Sequence, residues 1–211
     1  MKKLLIITMI LISGSYVFSQ GDEKNDEIRT IFGGPHSHGG YGAITLNYTT
    51  LNNMDGIVLG GRGSWIIDHG FAIGLGGSGT FCDYYYDDFL NDDINIAGGY
   101  GGIYFEPILL PKFPVHISLP VLVGVGGVAI TYGYYDSYDW QYSSVDHDAF
   151  MIVEPGVELE FNMMKFFRMA FGAYYRYTSD VQLNYYNGLN ITPPDVLHGL
   201  SMGMTLKFGS F

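Results

Sequence analysis

The stretch FRMAFGAYYRYT, Phe167 to Thr178, alternates without a break. Phe167, Met169, Phe171, Ala173, Tyr175 and Tyr177 fall on one parity. Arg168, Ala170, Gly172, Tyr174, Arg176 and Thr178 fall on the other. Successive side chains of a strand point to opposite faces, so period two predicts a β-strand with one oily face and one bearing two arginines. A soluble barrel turns the oily face inward, whereas a membrane barrel turns it to lipid. Deciding which face is inside decides the fold.

Seven further runs alternate in the same way: 41–50, 56–67, 71–81, 94–106, 115–130, 151–161 and 200–208. Each is ~9–12 residues or a little longer, enough to cross a bilayer when tilted, and eight is an even number, as single-chain bacterial outer-membrane barrels require. Pro120 inside the fifth run predicts a bulge or a missing ladder bond. Links after the second, fourth and sixth runs are compact (DH, PILLPKFP, NMMKF). Those after the third, fifth and seventh are long: CDYYYDDFLNDD, TYGYYDSYDWQYSSVDHDA and SDVQLNYYNGLNITPPDV. Short turns at one end and long loops at the other are the pattern of an outer-membrane barrel.

The minor faces favour the membrane orientation. In the third and fourth runs the less oily parity is mostly Gly, Ala and Ser, a poor solvent surface but a good filling for a narrow lumen. For the fourth run this puts Ile94, Ile96, Tyr100 and Tyr104 outside. Arg62, Glu154, Glu158, Glu160, Arg168, Arg176 and Lys207 share the minor parity and are expected to form a lumen charge network. The glutamates of run six would meet Arg168 and Arg176 of run seven, because paired, hydrogen-bonded charges tolerate a dry interior. Turned to lipid, each arginine would cost roughly 2–4 kcal/mol near the midplane. Tyr48, Trp65, Phe71, Phe81, Tyr100, Tyr104, Phe161, Phe167, Tyr177 and Phe208 are expected in the aromatic girdles.

Composition agrees. Charged residues are 15% of the chain, against roughly 25–35% on an ordinary soluble surface. Beyond the N-terminus no apolar run reaches the ~18 residues of a membrane helix. The opening MKKLLIITMILISGSYVFSQ has a basic start, an apolar stretch and small residues before Gln20, predicting a signal peptide over 1–19. A short periplasmic leader is expected over 20–40 and the barrel over 41–211. Without Lys2 and Lys3, eight basic residues face 21 acidic ones, a formal −13 that excludes phosphate-seeking nucleic-acid binding. One cysteine, Cys82, excludes an internal disulfide.

The signal, eight runs, loop asymmetry and aromatic C-terminus together resemble the small OmpA/OmpX-like outer-membrane barrels over Tyr41 to Phe211. The resemblance implies an all-β, eight-stranded, antiparallel up-and-down transmembrane β-barrel. Both termini would be periplasmic, and membrane lipid, lipopolysaccharide and the barrel-assembly machinery would be the partners. Such chains end on an aromatic residue read during assembly; here Phe208 ends the alternation and Phe211 ends the chain.

Several patterns bear on activity. His116 and Ser118 resemble the His-x-Ser pair of lipid A deacylase barrels, and a serine nucleophile needs that base and an orienting carboxylate. A membrane-embedded lipid or lipopolysaccharide hydrolase is therefore the alternative to a structural, surface-interaction role. His36 and His38 make two possible metal ligands where zinc takes three or four. Asp87, Asp88, Asp92 and Asp93 offer oxygen ligands for a divalent cation, without EF-hand spacing. Tyr84, Tyr85, Tyr86, Tyr134, Tyr135, Tyr138 and Trp140, set among Asp, Ser and Gly, have the composition of adaptable recognition surfaces for an extracellular protein or glycan. No cofactor motif is present. A soluble ligand-carrying barrel is the third reading, separable by whether detergent is needed for extraction.

Overall fold

The computed structural model describes residues 37–51, 54–136 and 139–211, with backbone alone over 132–136 and 139–144. The signal peptide, most of the leader, His36 and Tyr138 lie outside the described residues. Among the described residues ten strands form, and no helix: β1 His38–Leu51, β2 Met54–Ile67, β3 Phe71–Cys82, β4 Tyr85–Asp87 and β5 Asp92–Leu109. The others are β6 Val115–Ser118, β7 Val121–Asp136, β8 Asp139–Met164, β9 Phe167–Thr178 and β10 Gly199–Ser210.

Every pairing is antiparallel, and the ring closes. The path runs β1–β2–β3–β5–β7–β8–β9–β10 and returns to β1, where Ile44 faces Leu206 and Thr45 faces Thr205. β6 pairs with β5 and β8, the same two neighbours as β7, so the two share one of eight positions in the wall. Between them lies Pro120, which has no N–H for the ladder; its carbonyl instead accepts from the Gly156 N–H at 2.7 Å. Closure leaves the ring itself without a free edge, so its strands pair on both sides within the wall.

The faces sort by chemistry. Leu75, Val123 and Phe171 stand outward, 46–68% exposed, while Arg168 and Glu158 are buried. Tyr48, Trp65, Phe81, Tyr177 and Phe208 are also on the outer face.

β5 departs from expectation. Ile94, Ile96, Tyr100 and Tyr104 are buried inside, and Ile103 and Phe105 take the outer face. The reason is volume. The Tyr104 ring occupies the space that Gly76 of β3 leaves open, and Gly126 of β7 leaves room for Tyr100 Cβ and the Phe150 ring. Glycines on both parities of β5 had hidden this, and Tyr100 and Tyr104 are core residues rather than girdle residues.

The loop end also differs from the expected long loops. Residues assigned to the link after run five continue the sheet, with β7 and β8 paired up to Asp136 and Asp139. Segment 179–198, between β9 and β10, folds into the mouth instead. Its Val181, Leu183, Val196 and Leu197 are buried against Leu51, Ile94, Ile96, Ile130 and Ile152. At the other end, the Phe211 ring packs on Tyr41 and lies 4.0 Å above the Arg168 guanidinium.

Candidate functional site: a charge cluster across the lumen

Between the apolar cork and Phe211 the lumen holds a connected polar cluster. Parity places it, since β1, β2, β5, β6, β8, β9 and β10 each send alternate side chains inward. Arg62 of β2 donates to both carboxylate oxygens of Glu158 at 2.8 Å. Its Nε donates to the Tyr41 hydroxyl at 3.0 Å, and that hydroxyl donates to Glu106. Lys207 Nζ lies 2.5 Å from Glu106 and 2.7 Å from Glu158, and it also contacts Glu160. Arg168 meets Glu160 at 3.5 Å. Tyr174 donates to Glu158 at 2.5 Å.

Three cations, Arg62, Arg168 and Lys207, thus face three carboxylates, Glu106, Glu158 and Glu160. All six side chains are nearly or fully buried. Burying charges this deeply is tolerable because each carboxylate accepts from several donors at once. The three carboxylates lie within 4.8 Å of one another, close enough to hold a metal ion, but the Lys207 ammonium sits at that centre. The cluster is an internal salt-bridge knot.

Glu106 is the member that sequence reasoning missed. It lies on the inner parity of β5, and the inverted assignment of that strand hid it. Of the meetings expected between the glutamates of run six and the arginines of run seven, Glu160 pairs with Arg168, while Arg176 has no ion pair among the described residues. Glu154 accepts from the Tyr100 hydroxyl at 2.7 Å. Arg176 donates to the Leu197 carbonyl at 2.7 Å and to the hydroxyls of Thr80 and Thr49, with the Tyr100 ring alongside.

His116 and Ser118 face inward and are buried. His116 Nε2 lies 3.1 Å from Glu160, so the orienting carboxylate is present. Ser118 Oγ, however, donates to Glu158 at 3.1 Å and is fully buried. The hydroxyl is thus directed to a carboxylate, away from the surface.

At the loop end, Asp87 is buried by its own turn, accepting from the N–H groups of Phe89 and Leu90 and from the Tyr185 hydroxyl at 2.5 Å. Asp92 accepts from the Asp93 N–H, and the four aspartates do not converge as a ligand set. Tyr84 and Tyr86 are exposed and Tyr85 is half-buried. The side chains of Tyr134, Tyr135 and Trp140 lie outside the described residues, as does Tyr138. Phe89 packs on Tyr185 and Tyr186, giving an aromatic group across two loops.

Asp146 and Asp148 of β8 reach the cork. Asp148 accepts from the Gln182 N–H at 2.8 Å, and Asp146 from the Asn184 N–H at 2.7 Å. The N–H groups of Gln182 and Ala149 hold the Asp148 carboxyl below the usual carboxylate range. Burial, together with its bond to Asp87, pushes the Tyr185 phenol up to about 12.

No protein-family model matches the chain, and neither does any curated protein. Solved structures do. Neisserial surface protein A aligns with 83% of this chain and 99% of its own, at 9% identity and TM-score 0.50. The N-terminal β-barrel domain of Pseudomonas aeruginosa OprF aligns with 81% and 96%, at 10% identity and TM-score 0.42. Ail, the attachment invasion locus protein of Yersinia pestis, aligns with 82% and 97%, at 13% identity and TM-score 0.42. At such identities the likeness concerns the fold. The closed ring, the oily outer face and the ionic lumen make it the fold of a small eight-stranded outer-membrane β-barrel, of OmpA/OmpX-like architecture.

Proposed function

We propose that the protein is a non-enzymatic integral barrel of the outer membrane, which braces the envelope and displays acidic, tyrosine-rich loops to the outside. The observation that carries this reading is the filled lumen. The salt-bridge knot, the apolar cluster above it and Phe211 below occupy the lumen, which supports a ring without bulk pore activity, in keeping with eight strands. Both termini would be periplasmic, with residues 1–19 a signal peptide and 20–40 a leader. The barrel-assembly machinery would insert the chain, with Phe208 or Phe211 as the residue read. Lipid and lipopolysaccharide would surround the barrel, and an extracellular protein or glycan would meet the loop aromatics Tyr84, Tyr86, Phe89 and Tyr186.

The test joins two measurements. The membrane fraction should show a band whose gel migration changes on boiling, and protease added to intact cells should cut the loops around 84–91 and 185–190. Extraction without detergent, or cleavage at the short turns instead, sinks the reading. A hydrolytic role predicts that Ser118→Ala abolishes release of acyl chains from lipopolysaccharide; the expected result is no such release from either form.

A further inference from the structure

Among the described residues, all exposed Lys and Arg side chains lie on two turns. Lys112 is in the β5–β6 turn and Lys165 in the β8–β9 turn, and neither pairs with a carboxylate. The other four cations are buried. The two turns touch, with the Asn162 N–H donating to the Pro114 carbonyl at 2.9 Å and its side-chain amide to the Phe113 carbonyl at 2.8 Å.

The residues beside these lysines are oily, unlike those of a turn built for water. Leu110, Phe113, Met163, Met164 and Phe166 are each 54–65% exposed. Next to Lys165 opens a cavity of about 600 Å³, lined by Asn162, Met164, Lys165, Arg168, Ser210 and Phe211. Arg168 is itself buried, and its Nε has no partner. The β2–β3 turn at the same end is Asp68-His69-Gly70, so the oily, cationic character belongs to one sector of the rim. Between Lys112 and Lys165 the chain has no Lys or Arg, and the loop end carries aspartates.

We propose that this sector seats an anionic phospholipid of the inner leaflet. Its phosphate lies between Lys112 and Lys165, its headgroup enters the cavity before Arg168, and its chains run along Leu110, Phe113 and Phe166. Ammonium groups on flexible stems suit a phosphate as point charges, and apolar side chains bury at the headgroup boundary. The carboxylates of the loop end repel the same lipid, so charge complementarity selects this end. The proposal rests on the membrane-spanning reading above.

Folded protein in neutral detergent is titrated with phosphatidylglycerol or phosphatidylcholine and read by native mass spectrometry. Phosphatidylglycerol should be retained preferentially. Lys112→Gln with Lys165→Gln should weaken it about thirtyfold, since each lysine near an anionic headgroup is worth roughly a factor of five. Phosphatidylcholine binding should not change. Phe113→Ser with Phe166→Ser, lysines intact, should weaken both lipids. Heat-dependent gel migration checks that each variant is folded. Equal retention of the two lipids, an unchanged lysine variant, displacement by millimolar inorganic phosphate, or a dimer that the lysine variant abolishes would each overturn the assignment. Protease cleavage at Lys112 on intact cells would overturn the orientation as well. Loss of selectivity with the loops outside would overturn only the lipid seat.

Discussion

Glu158 shows why single residues in the lumen matter. It accepts from Arg62, Lys207, Ser118 and Tyr174, so its removal takes a carboxylate from two buried cations and leaves three cations facing two carboxylates. Breaking a buried pair from one side costs about 3–5 kcal/mol, whereas removing both partners is often close to neutral. Glu158→Ala should therefore lower the urea midpoint of the refolded barrel sharply. Adding Arg62→Met restores the balance of the knot at two cations and two anions and should recover at least half of the loss. Equal losses in the single and double variants would show that the ion pairs do not set the stability. At the loop end, Asp148 has a depressed folded-state value, so its contribution is present above the ordinary carboxylate value, about 4, and is lost as pH falls below it. Protease sensitivity of segment 179–198 should rise in that acid range, and Asp148→Asn should show the raised sensitivity already at pH 7. A pH-independent cleavage rate would remove Asp148 from the latch.

Elements show where alternation informs and where it misleads. β9 has large residues on one parity and charge on the other, so its faces were legible. β5 carries GGYGG, and its parity was settled only by the strands beside it. A Cβ on Gly76 would lie 2.6 Å from the Arg62 Cβ and 2.7 Å from the Tyr104 ring, and 2.6 Å from the Gly61 carbonyl on the neighbouring strand. Gly76→Val should cost about 1–3 kcal/mol through overpacking. It would be read as a lower urea midpoint and a smaller folded fraction on unboiled gels. An unchanged midpoint would mean that Tyr104 does not fill that space. Seven charged lumen candidates were legible from parity; their partners were not, because a strand's neighbours across the ring are set by closure and stagger. Glu106 and Glu160 meet the same ammonium from β5 and β8, which do not pair with each other.

For the whole molecule, the two ends of the ring differ. One end presents aspartates and tyrosines, and the other presents Lys112 and Lys165 among oily side chains. Within the lumen, Leu183 and Leu197 lie buried above the knot and Phe211 lies on Arg168 below it. Reconstituted into planar bilayers, the protein should show no steady conductance. Leu183→Asp with Leu197→Asp should leave the knot in place and the bilayer still sealed, while raising cleavage within 179–198. Steady current from the unaltered protein would contradict the closed lumen, and current only from the double variant would make the cork the sole seal.

The sequence by itself determined that this chain is a membrane barrel. Period two, low charge and alternating link lengths are local properties, and each survives without knowing which strands are neighbours. The tertiary structure alone decided the contents of the lumen. Ring closure set Glu106 beside Lys207, turned Tyr100 and Tyr104 inward over glycines, folded 179–198 into the mouth and laid Phe211 on Arg168. Those contacts depend on volume and distance across the barrel, and neither quantity is written in the order of residues along one strand.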